Sequence, residues 1–400
     1  MPERSVGELS PPQRLLLGPG PANIDPRVRR ALATPLLGHL DPAFLSIMDD
    51  TVFLLRKVFQ TSNQLTIPVS GTGSAGMEAA LCNVVEPGDT VVVGVNGYFG
   101  QRLSEIASRY GARVVRVEGE WGLPLDLDQI EAALKAQPRV NVVAVVHAET
   151  STGVLQPLEA LARLARSHDA LLLVDAVTSL GGVDLRIDQW GIDICYSGTQ
   201  KCLGAPPGLA PLTLGPRAVQ RLRSRKTKVA NWYLDLTLLD QYWGEERTYH
   251  HTAPISMVYA LREALRIVDE EGLEARFARH RRNAVALWAG LEALGLDLLA
   301  PEPSRAFPLT AVLVPDGVDD AAARRTLLDD FNIEIGGGLG PLRGKAWRVG
   351  LMGHNSAPQS VFTLLSALEK VLAGQGLEVA WGAGLAAAQQ ALAAHDETSP

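Results

Sequence analysis

The sequence predicts an α/β fold, in which a large domain built on a mostly parallel sheet is followed by a smaller α+β domain. Between residues 61 and 213, short β-branched runs alternate with longer amphipathic segments, as in parallel strands joined by crossover helices. Runs such as VVVGV and LLLV are apolar at both odd and even positions, which is typical of strands covered on both faces. The chain of 400 residues also exceeds the roughly 250–300 at which a single core stops growing.

The individual elements follow from the same patterns. The predicted strands of the large domain span residues 90–95, 113–117, 140–146, 170–175, 193–197 and 209–214. Apolar residues at i, i+3, i+4, i+7 and i+8 predict a helix over 77–85, and Pro157 leads into a second helix over 158–167. After Glu271, helical sequence precedes the strand-like TAVLV, a helix over 319–331, the loop GGGLGPLRG and a helix over 359–373.

These patterns divide the chain into four predicted parts. They are an N-terminal arm (1–20), a large ligand-binding domain (21–270), a small C-terminal domain (271–380) and a helical tail with a frayed polar end (381–400). No internal repeat is evident.

Charge and cysteine content narrow the expected partners and location. The 37 Lys and Arg residues against 44 Asp and Glu give a net charge of −7 without a basic block, so nucleic acid is not an expected partner. Three cysteines without a C-x-x-C pair favour a reducing, cytoplasmic location and predict no metal site. The N-terminal MPERSVGELSPPQR lacks the apolar region of a signal peptide, and no run approaches about 18 apolar residues, so no membrane association is expected.

A glycine-rich stretch precedes the first predicted helix. SGTGSAGMEAAL places Gly71, Gly73 and Gly76 in the G-x-G-x-x-G spacing of a dinucleotide-binding loop. Such a site also needs an acidic residue at the end of the next strand to bind the ribose, and that strand, TVVVGVN, ends in Asn96. A nicotinamide or flavin site is therefore disfavoured. Backbone N–H groups at a helix start still suit another phosphate, although the glycines also suit a tight turn alone.

Two later strand ends indicate which phosphate compound binds. Asp175 ends the run LLLVD, where open α/β sheets place their ligands, and a buried carboxylate there needs a cationic partner. Lys201 follows the next strand in YSGTQKCLGAPPG, where a partly neutral amine would be nucleophilic. Taken singly, Asp175 also suits a helix cap and Lys201 a solvated side chain. Together with the glycine loop they match pyridoxal 5′-phosphate, which needs a Schiff-base lysine, an acid at the pyridine nitrogen and a phosphate cradle.

The sequence resembles the class-V aminotransferases of fold type I, and most closely the alanine–glyoxylate and serine–glyoxylate (serine–pyruvate) group. The likeness extends over nearly the whole chain, through the segments LLLGPGPANIDPRV, VSGTGSAGMEAAL, NGYFGQR, HAETSTGVLQPL, VDAVTSLGG, YSGTQKCLGAPPG, YHHTAPISMVYALREAL and WRVGLMGHN. The resemblance implies a pyridoxal-phosphate-dependent transferase with a mostly parallel seven-stranded sheet in the large domain.

The resemblance also implies the role of each matched residue. Lys201 would hold the cofactor as an internal aldimine and transfer the substrate proton, while Asp175 would pair with the pyridine nitrogen. Phe99 would stack on one face of the ring, where many relatives have Trp, and Val177 would pack on the other. The implied cofactor-binding residues are Thr72, Gly73, Ser74, Phe99, Thr150, Asp175, Val177, Gln200, Lys201, Tyr249 and Thr252.

Further matched residues concern the second subunit and the substrate. Tyr249 and Thr252, in YHHT, would bind phosphate in the site of the partner subunit, so the resemblance implies a homodimer. Arg348 is the candidate for binding the carboxylate that amino acids and 2-oxo acids share, although WRVGL also reads as a simple alternating strand. Gly20 in LLLGPGP and Gly38 in GHLDPAF would line the substrate entrance.

The implied reaction moves an amino group from a small amino acid, alanine or serine, to glyoxylate or pyruvate with ping-pong kinetics. Ureidoglycine–glyoxylate, phosphonate and phosphoserine aminotransferases of the same fold are the alternatives. A cysteine desulfurase is disfavoured, because Gln200 stands where that enzyme has His and no cysteine follows Cys202. A non-catalytic relative is disfavoured by the presence of both Lys201 and Asp175, and a dehydrogenase by the missing acid after TVVVGVN.

Overall fold

A seven-stranded sheet forms the centre of the large domain in the computed structural model, which describes residues 6–398. The predicted arm and tail therefore lie partly outside the described residues, at 1–5 and 399–400. The strands are β1 (Leu15–Leu16), β2 (Leu65–Ser70), β3 (Thr90–Val95), β4 (Arg113–Glu118), β5 (Val142–Val146), β6 (Ala148–Glu149), β7 (Val154–Leu155), β8 (Leu171–Asp175), β9 (Ile194–Tyr196), β10 (Leu209–Leu214), β11 (Leu309–Leu313), β12 (Ile333–Glu334), β13 (Gly336–Gly337) and β14 (Ala346–Gly350).

Helices cover the sheet and build the C-terminal part of the chain. They are α1 (Pro26–Leu32), α2 (Pro42–Phe59), α3 (Gly73–Val84), α4 (Tyr98–Arg109), α5 (Leu127–Lys135), α6 (Glu159–Ser167), α7 (Ile187–Trp190), α8 (Pro216–Arg223), α9 (Leu236–Trp243), α10 (Ile255–Glu271), α11 (Leu273–Ala293), α12 (Asp320–Phe331), α13 (Pro358–Gly374) and α14 (Ala383–Thr398). None of the helices in residues 6–398 is both long and apolar enough to cross a bilayer.

The sheet confirms the predicted α/β class. Its order is β2-β10-β9-β8-β5-β3-β4, and every pair is parallel except those of β10, which runs antiparallel to β9 and β2. Strands β3 and β10 have the predicted bounds, and the other four predicted strands differ by one or two residues at an end. The edge strand β2 was not among the six predicted runs, because Pro68 interrupts it and proline is tolerated mainly at a sheet edge.

Two hydrophobic cores lie on either side of the predicted domain boundary. The larger core surrounds the seven-stranded sheet, and the second is built from α11 to α14 with the sheet β11-β14-β13. Leu17 from the N-terminal segment belongs to this second core, and β1 pairs in parallel with β12. The N-terminal segment is thus anchored to the C-terminal part of the chain. The boundary between residues 270 and 271 stays a prediction.

Candidate active site

A cavity of about 140 Å³ opens at the carboxyl ends of the parallel strands. Nine residues predicted from the sequence line this space, which we call the Lys201 cavity: Thr72, Gly73, Ser74, Phe99, Thr150, Asp175, Val177, Gln200 and Lys201. Three others were not predicted: Met77, Arg102 and Val146. The topology explains the convergence, because the loops after β2, β8 and β9 leave the sheet at the same edge.

The glycine loop is the start of α3. Gly71 has φ of +138°, and a Cβ on it would lie 2.5 Å from the Cβ of Ala75, so only glycine fits. Thr72 is the N-cap residue, yet its side chain makes no capping hydrogen bond and remains available to a ligand. A Cβ on Gly76 would lie 3.0 Å from Ala210 on β10, so this glycine permits close packing of helix on sheet. The loop therefore presents first-turn N–H groups and a hydroxyl to the cavity.

Asp175 is the last residue of β8 and is 3% exposed. The phenol of Tyr196 donates a hydrogen bond to Oδ2 at 2.7 Å, and the N–H of Val177 donates to Oδ1 at 2.8 Å. Burial raises the pKa of Asp175, while these two hydrogen bonds and the nearby Lys201 act in the opposite direction. Tyr196, which the sequence prediction did not include, holds the carboxylate in one orientation.

Lys201 lies in the loop after β9 with its amine inside the cavity. Nζ donates a hydrogen bond to the carbonyl oxygen of Pro19. Burial and the positive charge of Arg348 lower the pKa of Lys201 to about 8, so a much larger fraction of the amine is neutral near physiological pH than for an ordinary lysine, although the protonated form still predominates. A Cβ on Gly20, which has φ of +99°, would lie 2.5 Å from Cδ of Lys201. The predicted entrance residue Gly20 is thus in direct contact with the lysine.

Arg348 lies on β14 and is 8% exposed. Its Nε donates to the carbonyl oxygen of Gly337 at 2.8 Å. Burial lowers the pKa of Arg348 to about 10, against the attraction of the buried Glu149. No carboxylate of residues 6–395 lies within salt-bridge distance of the guanidinium. Arg348 therefore has donors to offer an anionic ligand near Lys201.

Phe99 lies in the first turn of α4, and its position is fixed by a carboxylate. Oε2 of Glu149 accepts a hydrogen bond from the N–H of Phe99 at 3.1 Å, and its Oε1 accepts one from the hydroxyl of Ser151 at 2.6 Å. A negative group at a helix N-terminus interacts favourably with the helix dipole. Glu149 was not predicted as a site residue, although it lies in the quoted segment HAETSTG.

Arg102 covers Phe99 and reaches the glycine loop. Its guanidinium lies 5.0 Å from the centre of the Phe99 ring, and Nη1 donates to Oγ of Ser74 at 3.2 Å. Among the residues that line the Lys201 cavity, Arg102 and Lys201 are the two with a positive charge. Arg102 was not predicted, although the i, i+3 spacing of Phe99 and Arg102 on a helix is a sequence signal that could have indicated this contact.

Five predicted residues are not among those that line the cavity: Gly20, Gly38, Tyr249, Thr252 and Arg348. Gly20 and Arg348 lie close to Lys201, whereas the other three are on the surface. Tyr249 is 57% exposed, with its ring 5.1 Å from that of His39, and Thr252 and Gly38 are also exposed. The segment with Gly38 and the YHHT segment therefore adjoin each other on the surface. The roles of Tyr249 and Thr252 in a partner's site, and of Gly38 at the entrance, stay predictions.

The residues that line the cavity fit pyridoxal phosphate. Oε1 of Gln200 is buried and has no hydrogen-bond partner within residues 6–398. The side-chain amide can therefore bind a ligand, as an acceptor through its oxygen or, if the amide is rotated by half a turn, as a donor through its NH₂ group. A Cβ on Gly73 would lie 3.1 Å from Cγ2 of Val177, so the loop approaches the predicted ring position closely. A buried acid, a partly neutral lysine and a phosphate cradle occur in one space, as the cofactor requires.

The chain is similar to known aminotransferases over nearly its full length. The sequence model of the family Aminotransferase class-V matches residues 31–342. The crystal structure of alanine–glyoxylate aminotransferase from Nostoc sp. is 54% identical, with a TM-score of 0.91 over 92% of this chain and 98% of that chain. Ureidoglycine–glyoxylate aminotransferase from Bacillus subtilis is 44% identical, with a TM-score of 0.94 over 96% and 99%. Alanine–glyoxylate aminotransferase of Callithrix jacchus is 44% identical over 93% of this chain and 90% of its own length.

Competitive labelling of the cofactor-free protein with acetic anhydride will measure the pKa of Lys201. We expect its acetylation to rise with pH through a midpoint near 8 rather than 10.5, because only the unprotonated amine reacts. Arg348→Met should move the midpoint to higher pH, because the neighbouring positive charge is lost. The exposed Arg325→Gln serves as the matched control and should leave the midpoint in place. A wild-type midpoint near 10.5 would contradict the assigned environment.

Proposed function

Because the chain belongs to the class-V aminotransferases, we propose that it moves the amino group of a small amino acid, alanine or serine, to glyoxylate or pyruvate. The observation that carries this proposal is that Lys201 and Asp175 line one cavity and that Arg348 is near enough to lower the pKa of Lys201. The relatives named for alanine–glyoxylate transamination support the choice of substrates.

The enzyme uses pyridoxal phosphate, as the family does. When bound, this cofactor supplies a carbonyl carbon that accepts amino groups and a ring that accepts electrons. We propose that Thr72, Gly73, Ser74 and Gln200 hold its phosphate, with the hydroxyl of Thr150 nearby. Phe99 and Val177 would enclose the ring between them.

Asp175 would accept a hydrogen bond from the protonated pyridine nitrogen. Burial disfavours a lone carboxylate at this position, and a positive ring nitrogen would compensate the charge that the hydrogen bonds from Tyr196 and Val177 only partly stabilise. The phenol of Tyr196 keeps its proton, because burial raises the pKa of Tyr196 well above its ordinary value. Asp175 would therefore favour the protonated form of the ring nitrogen when the cofactor is bound.

Lys201 would move the proton that transamination requires. Its lowered pKa lets the free amine take a proton from the substrate Cα near neutral pH and later return one. The guanidinium of Arg348 would bind the substrate carboxylate, which places Cα on the lysine side of the cavity. Pro19 and Gly336 approach each other beside Arg348, where a Cβ on Gly336 would lie 2.5 Å from Cδ of Pro19. This crowding favours a small substrate side chain.

We further propose a cytoplasmic homodimer in which Tyr249 and Thr252 complete the partner's site. Large apolar side chains are exposed near YHHT, among them Trp232 and Tyr233, and aromatic contacts join them to His250 and His251. An exposed apolar patch of this kind is typical of an interface. The three cysteines are free and buried, which is compatible with a reducing compartment.

A half-reaction screen tests the proposed function. Holoenzyme mixed with L-alanine or L-serine alone should release one equivalent of pyruvate or hydroxypyruvate per site, and subsequent glyoxylate should yield glycine, because each half-reaction runs without the other substrate. Products are quantified by mass spectrometry. Lys201→Ala should lose multiple turnover, and Arg325→Gln should keep it. A product only from (S)-ureidoglycine, phosphoserine or 2-aminoethylphosphonate would reject the proposed donor.

Arg348→Ala tests the carboxylate contact in the same assay. We expect KM to rise at least about tenfold for donor and acceptor alike, because both carry the carboxylate that Arg348 binds. Steady-state kinetics with each substrate varied in turn measure this. Unchanged KM values for both substrates would remove Arg348 from the site.

Subunit complementation tests the shared site. Lys201→Ala and the double variant Tyr249→Phe with Thr252→Val should each be nearly inactive. Co-expression should restore about a quarter of wild-type activity. Random pairing makes half of all dimers heterodimers of the two variants, and each heterodimer has one intact site out of two. No recovery with hybrids present would reject the placement of Tyr249 and Thr252 in the partner's site.

Arg102→Gln should weaken cofactor binding. Arg102 supplies one of the two positive charges in the cavity wall and contacts the glycine loop, so we expect the Kd for pyridoxal phosphate to rise about tenfold. Titration of the cofactor-free protein, followed by absorbance, measures the change. Arg109→Gln, at an exposed position of the same helix, is the matched control. Equal Kd values for the two variants would show that Arg102 does not contribute.

A further inference from the structure

A second cavity, of about 870 Å³, shares no lining residue with the Lys201 cavity. We call it the His147 cavity. It lies between residues 147–190 of the large domain and residues 277–307 of the C-terminal part, with His395 also in its wall. Its volume is in the range of roughly 300–1,000 Å³ that small-molecule sites occupy.

Two buried polar side chains belong to the wall of this cavity. His147 is 3% exposed; its Nδ1 is 2.9 Å from Oγ of Ser179, and Nε2 has no hydrogen-bond partner within the described chain. Burial lowers the pKa of His147 to about 4, so the imidazole is neutral. Gln156 accepts a hydrogen bond from the N–H of Leu125 at 2.7 Å, while its Nε2 makes only a 3.4 Å contact with the Pro157 carbonyl. Each side chain thus retains hydrogen-bonding capacity for a ligand.

Aromatic rings form much of the remaining wall. Trp190 packs edge-to-face with His147, with ring centres 6.4 Å apart, and Phe277 and Phe307 face the cavity from the C-terminal part. Leu155 and Val183 add aliphatic surface. Rings of this kind favour a flat aromatic ligand, which buries a large area and finds offset or edge contacts with them.

Among the side chains of residues 6–395, the charges at the cavity leave one arginine without an anionic partner. Arg163 pairs with Glu159 at 2.6 Å, and Asp184 pairs with Arg186 at 2.8 Å. Arg281, whose guanidinium lies 5.8 Å from the ring centre of Phe307, makes no ion pair with any side chain of residues 6–395. Its planar donors suit a carboxylate.

We propose that the His147 cavity is a second ligand site, which binds a flat aromatic carboxylate. The rings of Trp190, Phe277 and Phe307 would enclose the aromatic part, His147 and Gln156 would hydrogen-bond a polar substituent at the buried end, and Arg281 would bind the carboxylate. The main chain connects this site to the active site, because the N–H of His147 donates to the carbonyl oxygen of Asp175 at 2.9 Å.

Calorimetric titration of the holoenzyme with naphthalene-2-carboxylate tests this proposal. We expect saturable binding, and Arg281→Gln should raise the Kd about tenfold, because a charge-assisted hydrogen bond is lost. The neutral naphthalene-2-carboxamide should bind both proteins equally. Ala160→Phe, which places a ring in the cavity from α6, should abolish binding of both compounds. Arg325→Gln, exposed on α12, should change neither Kd.

Three results would overturn the proposal. They are no saturable binding at millimolar probe, full binding in Ala160→Phe, and loss of binding in Arg348→Ala, which would place the probe in the Lys201 cavity. Thermal unfolding of each variant separates loss of the site from loss of the fold. Binding is measured without turnover, so failure of the proposed transamination would leave this test unaffected.

Discussion

The burial of Lys201 beside a second cation is the constraint on which the rest of the site depends. An ammonium group loses hydration on burial, and the charge of Arg348 adds repulsion, so both effects favour the neutral amine. The nearby Asp175 opposes them, but Tyr196 and Val177 already hold its oxygens. The protein therefore keeps a lysine whose pKa, about 8, suits both nucleophilic attack and proton transfer.

Holding Lys201 in this position requires both cores of the chain. The N-terminal segment joins the second core through Leu17 and then brings Pro19 and Gly20 against the lysine from one side. On the other side, the buried Arg276 donates to the carbonyl oxygens of Gly181 and Cys202 at 2.9 and 2.6 Å. Its charge is compensated by Glu271 at 2.6 Å. The backbone that follows the lysine is thus fixed by an arginine of α11, across the predicted domain boundary.

The sequence was sufficient to predict the class of fold and nine residues that lie together around the Lys201 cavity, while the roles of these residues stay predictions. Asp175 and Lys201 stand at strand ends, where parallel topology places ligands, so pattern and chemistry agreed. The partners that act through them were missed. From the sequence, Tyr196 is predicted only as a buried residue inside a strand. Its hydrogen bond to Asp175 depends on the register of the parallel strands β8 and β9, which the sequence pattern does not give. From the sequence, Glu149 resembles an ordinary acidic loop residue, because its hydrogen bond to the N–H of Phe99 at the start of α4 is evident only in the folded structure. The site assigned to Tyr249 depends on a second chain, which one sequence does not place.

The glycine loop shows why a motif needs its neighbours before it indicates a ligand. In a dinucleotide site, glycines allow the helix start to approach an anion, and they would do the same in the site proposed for this chain, so the loop geometry alone does not distinguish the two. The distinction lies at the end of β3, where Asn96 uses its amide to donate to the carbonyl oxygen of Leu123 at 2.9 Å. Where a dinucleotide site has a carboxylate that binds the ribose, this chain has the amide of Asn96, which stabilises the loop that contains Leu123. The phosphate that we propose for this helix start is inferred from Asp175 and Lys201, which line the same cavity, because one ligand would have to satisfy all three at once.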